Sequence, residues 1–276
     1  MSGLVVYKMT GSGNDFVMVD GRTTGPEAWP AERIRAICDR RRGVGGDGLV
    51  VVKPAGSDNI SMTYYNCDGS RAAMCGNAAL CSTRLAVHLA MSPGSEINLI
   101  TDAGTYRARC RPEPDRAEIN LAPFRAPVEV PGIAREAGES WIGLATVGVP
   151  HLVVFVQDVD AVDLMARGRE LRFHPAIGAA GANVNFVSSP AAGGAGTAAW
   201  RLRTYERGVE GETLACGTGA VAVAGGIVRQ GADGFPIEML ARSGSWLGVA
   251  GRLEKDQVVD VWLSGEGRLV FRADVE

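Results

Sequence analysis

The sequence predicts an α/β (α+β) protein of two pseudo-symmetric lobes related by internal duplication, each a curved, mainly antiparallel sheet or barrel wrapped around a central helix. Three observations carry that expectation. The stretch Ala215-Cys216-Gly217-Thr218-Gly219-Ala220 repeats the pattern of Met74-Cys75-Gly76-Asn77-Ala78, a Cys-Gly-polar turn that opens a small-residue apolar run. Upstream of each cysteine, Ile60–Asn66 and Trp200–Glu206 alternate with a period of two, the mark of a strand with one buried face. Downstream, Ile97–Gly104 resembles Ile237–Gly244. The spacings agree as well: Asn66 precedes Cys75 by 9 residues and Glu206 precedes Cys216 by 10, while Gly104 and Gly244 follow their cysteines by 29 and 28. A duplication with a period of about 140 residues accounts for all of these. The lobes are expected at 1–122 plus 265–276, carrying Cys75, and at 123–264, carrying Cys216.

Taken in order, Leu4 to Met9 and Phe16 to Asp20 read as strands around the turn Gly11-Ser12-Gly13-Asn14-Asp15. Ile34, Ile37 and Cys38 have helical spacing within 30–42, and Gly43 marks the end. Gly43-Val44-Gly45-Gly46-Asp47-Gly48 has the letters of a dinucleotide fingerprint, but it follows a helix and feeds the strand Leu49 to Lys53. The fingerprint needs the opposite context, so no cofactor is expected there. Asn66-Cys67-Asp68-Gly69-Ser70 is a turn signal, and 77–91 reads as a helix. Its counterpart, 218–229, carries Ala, Val, Ile and Gly on every side, as a buried helix does. Strands at 118–121 and 258–263 close the two repeats, and the proline-flanked segment 123–131 is a crossover. In the second lobe Gly148 to Val156 repeats the turn and strand of Gly13 to Val19, 159–169 reads as a helix, and 183–187 as a strand. The segment 188–199 is low in complexity and reads as a flexible hairpin loop.

Composition narrows the function. The chain has 276 residues, 46% hydrophobic and 21% charged, so it is a globular protein with enough length for two cores. Net charge is −3 and the basic residues are dispersed, which argues against nucleic acid as a partner. Glycine, at 37 residues, is nearly twice its usual share of about 7% and implies many tight turns. The N-terminus does not have the form of a secretory signal. The apolar run Thr213 to Val228 is laced with Gly and falls short of the roughly 18 residues a membrane helix needs. A cytoplasmic protein with no membrane partner is expected, its six cysteines (Cys38, Cys67, Cys75, Cys81, Cys110 and Cys216) present as thiols.

The chemistry follows from the duplicated cysteines. A thiol acts as base or nucleophile only as thiolate, and a helix N-terminus favours the thiolate through its orphan N–H groups and dipole. The same N–H groups, from Gly76-Asn77 and Gly217-Thr218, form an anion site for a carboxylate. One such motif could be a mere helix entry with a buried small residue; two at matched positions point to a pair of acid–base groups. Inversion at a carbon that bears a proton needs a base on one face and an acid on the other, with roles exchanged in the reverse direction. An amino-acid racemase or epimerase without pyridoxal phosphate is therefore expected, with no cofactor. A relative acting on proline or hydroxyproline, a thiol-redox or metal protein, and a non-catalytic small-molecule binder are the rival readings. No Cys-x-x-Cys occurs and the three histidines are scattered, so no metal site is expected.

Several long motifs, in order, resemble one family. They are Gly13-Asn14-Asp15-Phe16, Asn66-Cys67-Asp68-Gly69-Ser70, Met74-Cys75-Gly76-Asn77, Gly148-Val149-Pro150-His151, Asn183-Val184-Asn185-Phe186, and Tyr205-Glu206-Arg207-Gly208 with Ala215-Cys216-Gly217-Thr218-Gly219. Together they closely resemble diaminopimelate epimerase from end to end. The resemblance implies a cofactor-independent isomerase that interconverts LL- and meso-2,6-diaminopimelate, for lysine and cell-wall synthesis, as a homodimer. It makes Cys75 and Cys216 the two bases, sets His151 and Glu206 beside them, and assigns Asn14, Asn66, Asn183 and Arg207 to the distal end of the substrate. Departures are Val149, where the family commonly has Asn, and Ala78 and Leu80 after Cys75, where Gly and Arg are usual. On residue type alone, His151 could be a packed strand residue, Glu206-Arg207 a surface ion pair, and the asparagines ordinary turn residues.

Overall fold

The computed structural model describes residues 3–94, 96–189 and 199–276. Most of the expected 188–199 loop lies outside the described residues; Ser188 itself ends a strand. The chain divides into two compact units, Met1–Asn120 with Ser264–Glu276, and Leu121–Leu263.

In the first unit, β1 (Leu4–Gly11) and β2 (Asn14–Asp20) form a hairpin. The strands run closer to the turn than the sequence suggested, because Ser12 and Gly13 alone reverse the chain, both at positive φ (51° and 109°). Ser12 is held in that unusual conformation by burial and by its hydroxyl, which accepts from the Glu266 N–H at 3.2 Å. Helix α1 (Ala31–Cys38) is shorter than the expected 30–42. Asp39 turns extended after it, and its carboxylate accepts from the N–H groups of Arg41 and Arg42 at 2.8 and 2.9 Å, replacing the next helical turn with an Asx turn. β3 (Gly48–Pro54), β4 (Asn59–Asn66), the short β5 (Arg71–Ala72), α2 (Gly76–His88), β6 (Glu96–Thr101), β7 (Gly104–Cys110) and β8 (Arg116–Leu121) follow.

The second unit contains β9 (Phe124–Arg125), β10 (Val128–Glu129), β11 (Glu139–Val147), β12 (Val149–Val156), α3 (Leu164–Arg172), β13 (Asn183–Ser188), β14 (Trp200–Glu206), β15 (Gly211–Thr213), α4 (Gly217–Arg229), β16 (Ile237–Leu240), β17 (Trp246–Glu254) and β18 (Gln257–Glu266). The helix expected at 159–169 is split, since Val159–Ala161 is a single 3-10 turn and α3 starts afresh beyond Asp163, whose carboxylate caps it by accepting from Ala166 N–H at 3.1 Å. The crossover at 123–131 carries β9 and β10. Finally β19 (Arg268–Val275) returns to pair with β1 in the first unit.

Both units use one pairing scheme. β1/β2, β3/β4, β4/β5 and β6/β7 are antiparallel while β2/β3 and β4/β6 are parallel. Likewise β11/β12, β13/β14, β14/β15 and β16/β17 are antiparallel while β12/β13 and β14/β16 are parallel. The cysteine-bearing helix occupies the same place in each scheme, between the fifth and sixth strands of the repeat. Helix α2 touches β1, β2, β3, β4, β6 and β7, and α4 touches β11, β12, β13 and β17, so each helix is the axis its sheet encloses.

Strand alternation then sorts the side chains. In the second unit Leu152, Val154, Val184, Phe186 and Tyr205 join the core on the α3 side. Their neighbours in sequence, among them His151, Asn183, Asn185, Thr204 and Glu206, face α4. In the first unit Val17, Val19, Leu49, Val51 and Tyr65 pack toward α1, which sends Asn14, Phe16, Tyr64 and Asn66 toward α2. Small residues let α4 sit close to its surroundings: nine consecutive residues, Gly219 to Ile227, are buried, and a Cβ on Gly225 would come within 2.9 Å of the Phe124 ring.

Candidate active site

Each unit presents a thiol at the N-cap of its buried helix, in nearly the same backbone conformation: Cys75 at φ −137°, ψ 123° and Cys216 at φ −130°, ψ 105°. The first helical hydrogen bonds are Ala79 N–H to Cys75 O and Ala220 N–H to Cys216 O, both 2.9 Å. The N–H groups of Gly76, Asn77 and Ala78, and of Gly217, Thr218 and Gly219, therefore precede the helical ladder and point out of the helix start. Each unit thus combines a thiol with a ready anion cradle.

In the first unit, the side chains near the helix start are organised by a half-buried charge cluster. Asp47 accepts from Asn14 Nδ2 at 2.9 Å and from Asp15 N–H at 3.2 Å, while its other oxygen accepts from Arg40 at 2.7 Å. Asn77 Nδ2 donates to Asn14 Oδ1 at 2.7 Å, so Asp47, Asn14 and Asn77 form a line that ends beside Cys75 with the buried, unpartnered Asn77 Oδ1. Asp15 is clamped by Lys8 and Arg40; burial alone would raise its carboxyl, but these two cations outweigh it and hold it well below the usual range. Asn66 closes β4 and its amide donates to Ser70 Oγ at 3.0 Å, on the same α2-facing side as Asn14. Tyr64 lies close enough for the Cys75 charge to add to burial in raising its phenol.

The second unit brings together His151, Asn183, Glu206, Arg207, Cys216, Gly217 and Thr218. His151 is fully buried on β12, and its Nε2 lies 3.1 Å from Thr218 Oγ1. Thr218 Oγ1 in turn lies 3.8 Å from Cys216 Sγ. Burial, with the Arg207 charge second, pushes the His151 imidazole down to about 3, so it is neutral across the neutral range. Burial pushes the Glu206 carboxyl up, with the Thr213 hydroxyl acting in the opposite direction. Asn183, also buried, accepts from the Arg207 N–H at 2.8 Å and so fixes the backbone that carries both Glu206 and Arg207. The Arg207 guanidinium has no ion-pair partner among the described residues, unlike Arg203, which Glu212 holds at 2.7 Å.

Burial pushes Cys38 up to about 12 and raises Cys81 and Cys110 as well. With the exposed Cys67, these four are free thiols. The glycine-rich run 43–48 is explained by packing: Gly45 is at φ +80°, and a Cβ on Gly48 would overlap the Tyr65 carbonyl. Among the described residues no group of three or more His, Cys, Asp or Glu is placed to hold a metal ion, and no helix is long and apolar enough to cross a membrane.

Sequence reasoning missed Asn185, Thr204, Thr213 and Asp47. Asn185 stood inside a motif already singled out, two residues from Asn183 on a strand, and period-two alternation puts it on the same face.

The sequence profile of the family described as diaminopimelate epimerase matches residues 6–122 and 143–247. The chain is 43% identical to a diaminopimelate epimerase of Gemmatimonas aurantiaca over 279 aligned residues, covering 97% of this chain and 98% of that one. It is 36% identical to the diaminopimelate epimerase of Aquifex aeolicus, covering 96% and 95%. Among solved structures, it resembles a phenazine biosynthesis protein of the PhzF family from Bacillus anthracis, with a TM-score of 0.72 at 14% identity over 100% of both chains. A hydroxyproline epimerase from Agrobacterium vitis with bound trans-4-hydroxy-L-proline gives a TM-score of 0.66 at 19% identity, over 100% of this chain and 91% of that one. At those identities the structural likeness speaks to the fold alone.

Proposed function

The chain belongs to the diaminopimelate epimerase family of isomerases, and we propose that it interconverts LL- and meso-2,6-diaminopimelate by proton transfer at one α-carbon, with Cys75 and Cys216 as the paired acid–base groups. One thiolate removes the α-proton, the electron pair delocalises into the adjacent carboxylate, and the other thiol delivers its proton to the opposite face. Roles exchange in the reverse direction. Charge builds on the carboxylate in the transition state, where the preformed N–H groups at the helix starts stabilise it most.

The observation that carries the reading is the repetition of one N-cap thiol, in one backbone conformation, at one place in two copies of a sheet scheme. His151 and Glu206 assist at the Cys216 helix start. Arg207, with Asn14, Asn66 and Asn183, takes the distal ammonium and carboxylate. A guanidinium without an ion-pair partner among the described residues suits a substrate with a second charged end and disfavours proline or hydroxyproline, which have none. The family likeness is what supports a homodimer and a cytoplasmic setting; sedimentation of the purified protein tests the first.

The test is incubation of LL-diaminopimelate with reduced protein in deuterated water, with nothing else added. The meso product should carry one deuteron at one α-carbon, since a thiol proton exchanges with solvent. Unchanged substrate after long incubation with folded, reduced protein would defeat the proposal.

A further inference from the structure

We propose that Asn185 and Thr204 are positioning residues that fix His151 as its Nε2–H tautomer, so that an unbroken line of donors runs from Thr204 through Asn185, His151 and Thr218 to the sulfur of Cys216. This rests on the reading of Cys216 as an acid–base group.

The direction of the line is settled by groups that can act in only one sense. Asn185 Nδ2 lies 3.0 Å from the Leu152 carbonyl, an acceptor only, so the amide nitrogen must be on that side. The Thr204 hydroxyl donates to the other end, Asn185 Oδ1, at 3.0 Å. The second N–H of the amide then meets His151 Nδ1 at 3.3 Å, and that ring nitrogen accepts. A neutral imidazole that accepts at Nδ1 carries its proton on Nε2. Nε2–H therefore donates to Thr218 Oγ1 at 3.1 Å, leaving the Thr218 hydroxyl proton for Cys216 Sγ at 3.8 Å.

Most of the line lies in the buried interior of the second unit: Asn185 and His151 are fully buried and Thr204 nearly so, while Thr218 is half-buried. In such surroundings a polar side chain is costly unless fully paired, and Asn185 uses its carbonyl oxygen and both amide hydrogens. The helix is fitted around it. A Cβ on Gly219 would overlap Asn185 Oδ1 and come within 3.2 Å of Cys216 Sγ. The consequence is chemical. Donors that end on sulfur favour thiolate over thiol, so Cys216 stands ready as the base. His151 in this tautomer supplies a hydrogen bond and does not itself remove the thiol proton, which leaves to solvent or substrate. The charged group that acts on the ring is Arg207, just beyond β14, and Cys216 lies on the far side of Thr218.

Two measurements test this without reference to turnover. In ¹⁵N-histidine-labelled protein, His151 should show a protonated Nε2 and a bare Nδ1 at pH 7; an Nδ1–H tautomer would overturn the proposal. Alkylation of Cys216 by iodoacetamide at pH 7, followed by peptide mapping, should slow about tenfold in Thr218→Val, the worth of one hydrogen bond to a charged group, and recover in Thr218→Ser. Asn185→Leu should slow it too and leave the His151 signals in mixed tautomers. Alkylation of Thr218→Val at the parent rate would overturn the line of donors. A folded Asn185→Leu variant with parent alkylation would remove Asn185 from it; if that variant does not fold, the ring tautomer and the Thr218 pair decide. Loss of epimerase activity alone bears on the proposed reaction and leaves these readouts intact.

Discussion

Glu206 holds in the second unit the place that Asn66 holds in the first: each is the last residue of the strand that pairs antiparallel to the third of its repeat, β14 and β4. The two units share one pairing scheme and differ in the side chains around the helix start. One helix start has a carboxyl raised by burial beside it and a neutral imidazole, while the other has amides and a tyrosine. The two thiols are thus matched in geometry and unequal in surroundings.

That inequality predicts the effect of Glu206→Gln. The substitution keeps shape and removes the ionisable proton, so kcat should fall by about a hundredfold, the usual contribution of a positioned acid–base group, with a smaller change in KM. Steady-state kinetics in both directions would check it, and a parent-like kcat would reduce Glu206 to a structural residue.

Arg207→Lys addresses distal recognition. A lysine keeps the charge and loses the fork that meets a carboxylate with two parallel hydrogen bonds. KM for diaminopimelate should rise about tenfold or more while kcat changes little, because one such contact is worth about 1.5–3 kcal/mol. Equal kcat/KM in the two proteins would show that the guanidinium does not bind substrate.

His151 gives a stability signature with a defined sign. Its folded value, about 3, lies below the ordinary value of about 6.5. The unfolded chain therefore binds a proton first as pH falls, and the contribution is present above pH of about 6.5 and lost progressively down to about 3. For a group this buried the loss is on the order of a few kcal/mol. Urea unfolding at pH 7 and pH 4 should show a smaller stability difference in His151→Gln than in the parent. An unchanged difference would mean that the ring is not held neutral.

The four remaining cysteines should be dispensable for turnover. Cys67→Ser, Cys110→Ser and Cys38→Ala should keep most activity, and Cys81→Ala, fully buried, should lose about 1–3 kcal/mol of stability by cavity formation while retaining kcat. Thermal melts and kinetics on each variant separate the two effects. Gly219→Ala should behave oppositely to Gly211→Ala: the former places a methyl against Asn185 and Cys216, whereas the latter meets nothing within 4 Å.

Much of this was legible in the sequence, for identifiable reasons. The two helix starts could be read because Cys-Gly-polar recurs at a fixed distance from alternating strands, and both strand and buried helix leave periodic traces. β7, β17 and β19 went unread because they are half-exposed strands in which Arg or Gly breaks the alternation. The ends of α1 and the start of α3 were misjudged because Asp39 and Asp163 act through side chain to backbone bonds that leave no periodic mark. Asp47 looked like one letter of a glycine-rich run, yet it orients Asn14 from 33 residues away, a relation only the fold creates. Asn185 shares that character: its three partners are His151 and Leu152 of β12 and Thr204 of β14.

If each thiol serves one face of one carbon, Cys75→Ser and Cys216→Ser should each lose a different half of the reaction. A serine hydroxyl is far too weak a base near neutral pH to replace a thiolate. Both variants should fold and fail to epimerise LL-diaminopimelate in deuterated water. Each should still eliminate the leaving group from a diaminopimelate analogue halogenated at the β-carbon, with one α-stereoisomer favoured by Cys75→Ser and the other by Cys216→Ser. Epimerisation by either variant at close to the parent rate, or the same stereoisomer preference in both, would mean that the thiols do not act on opposite faces.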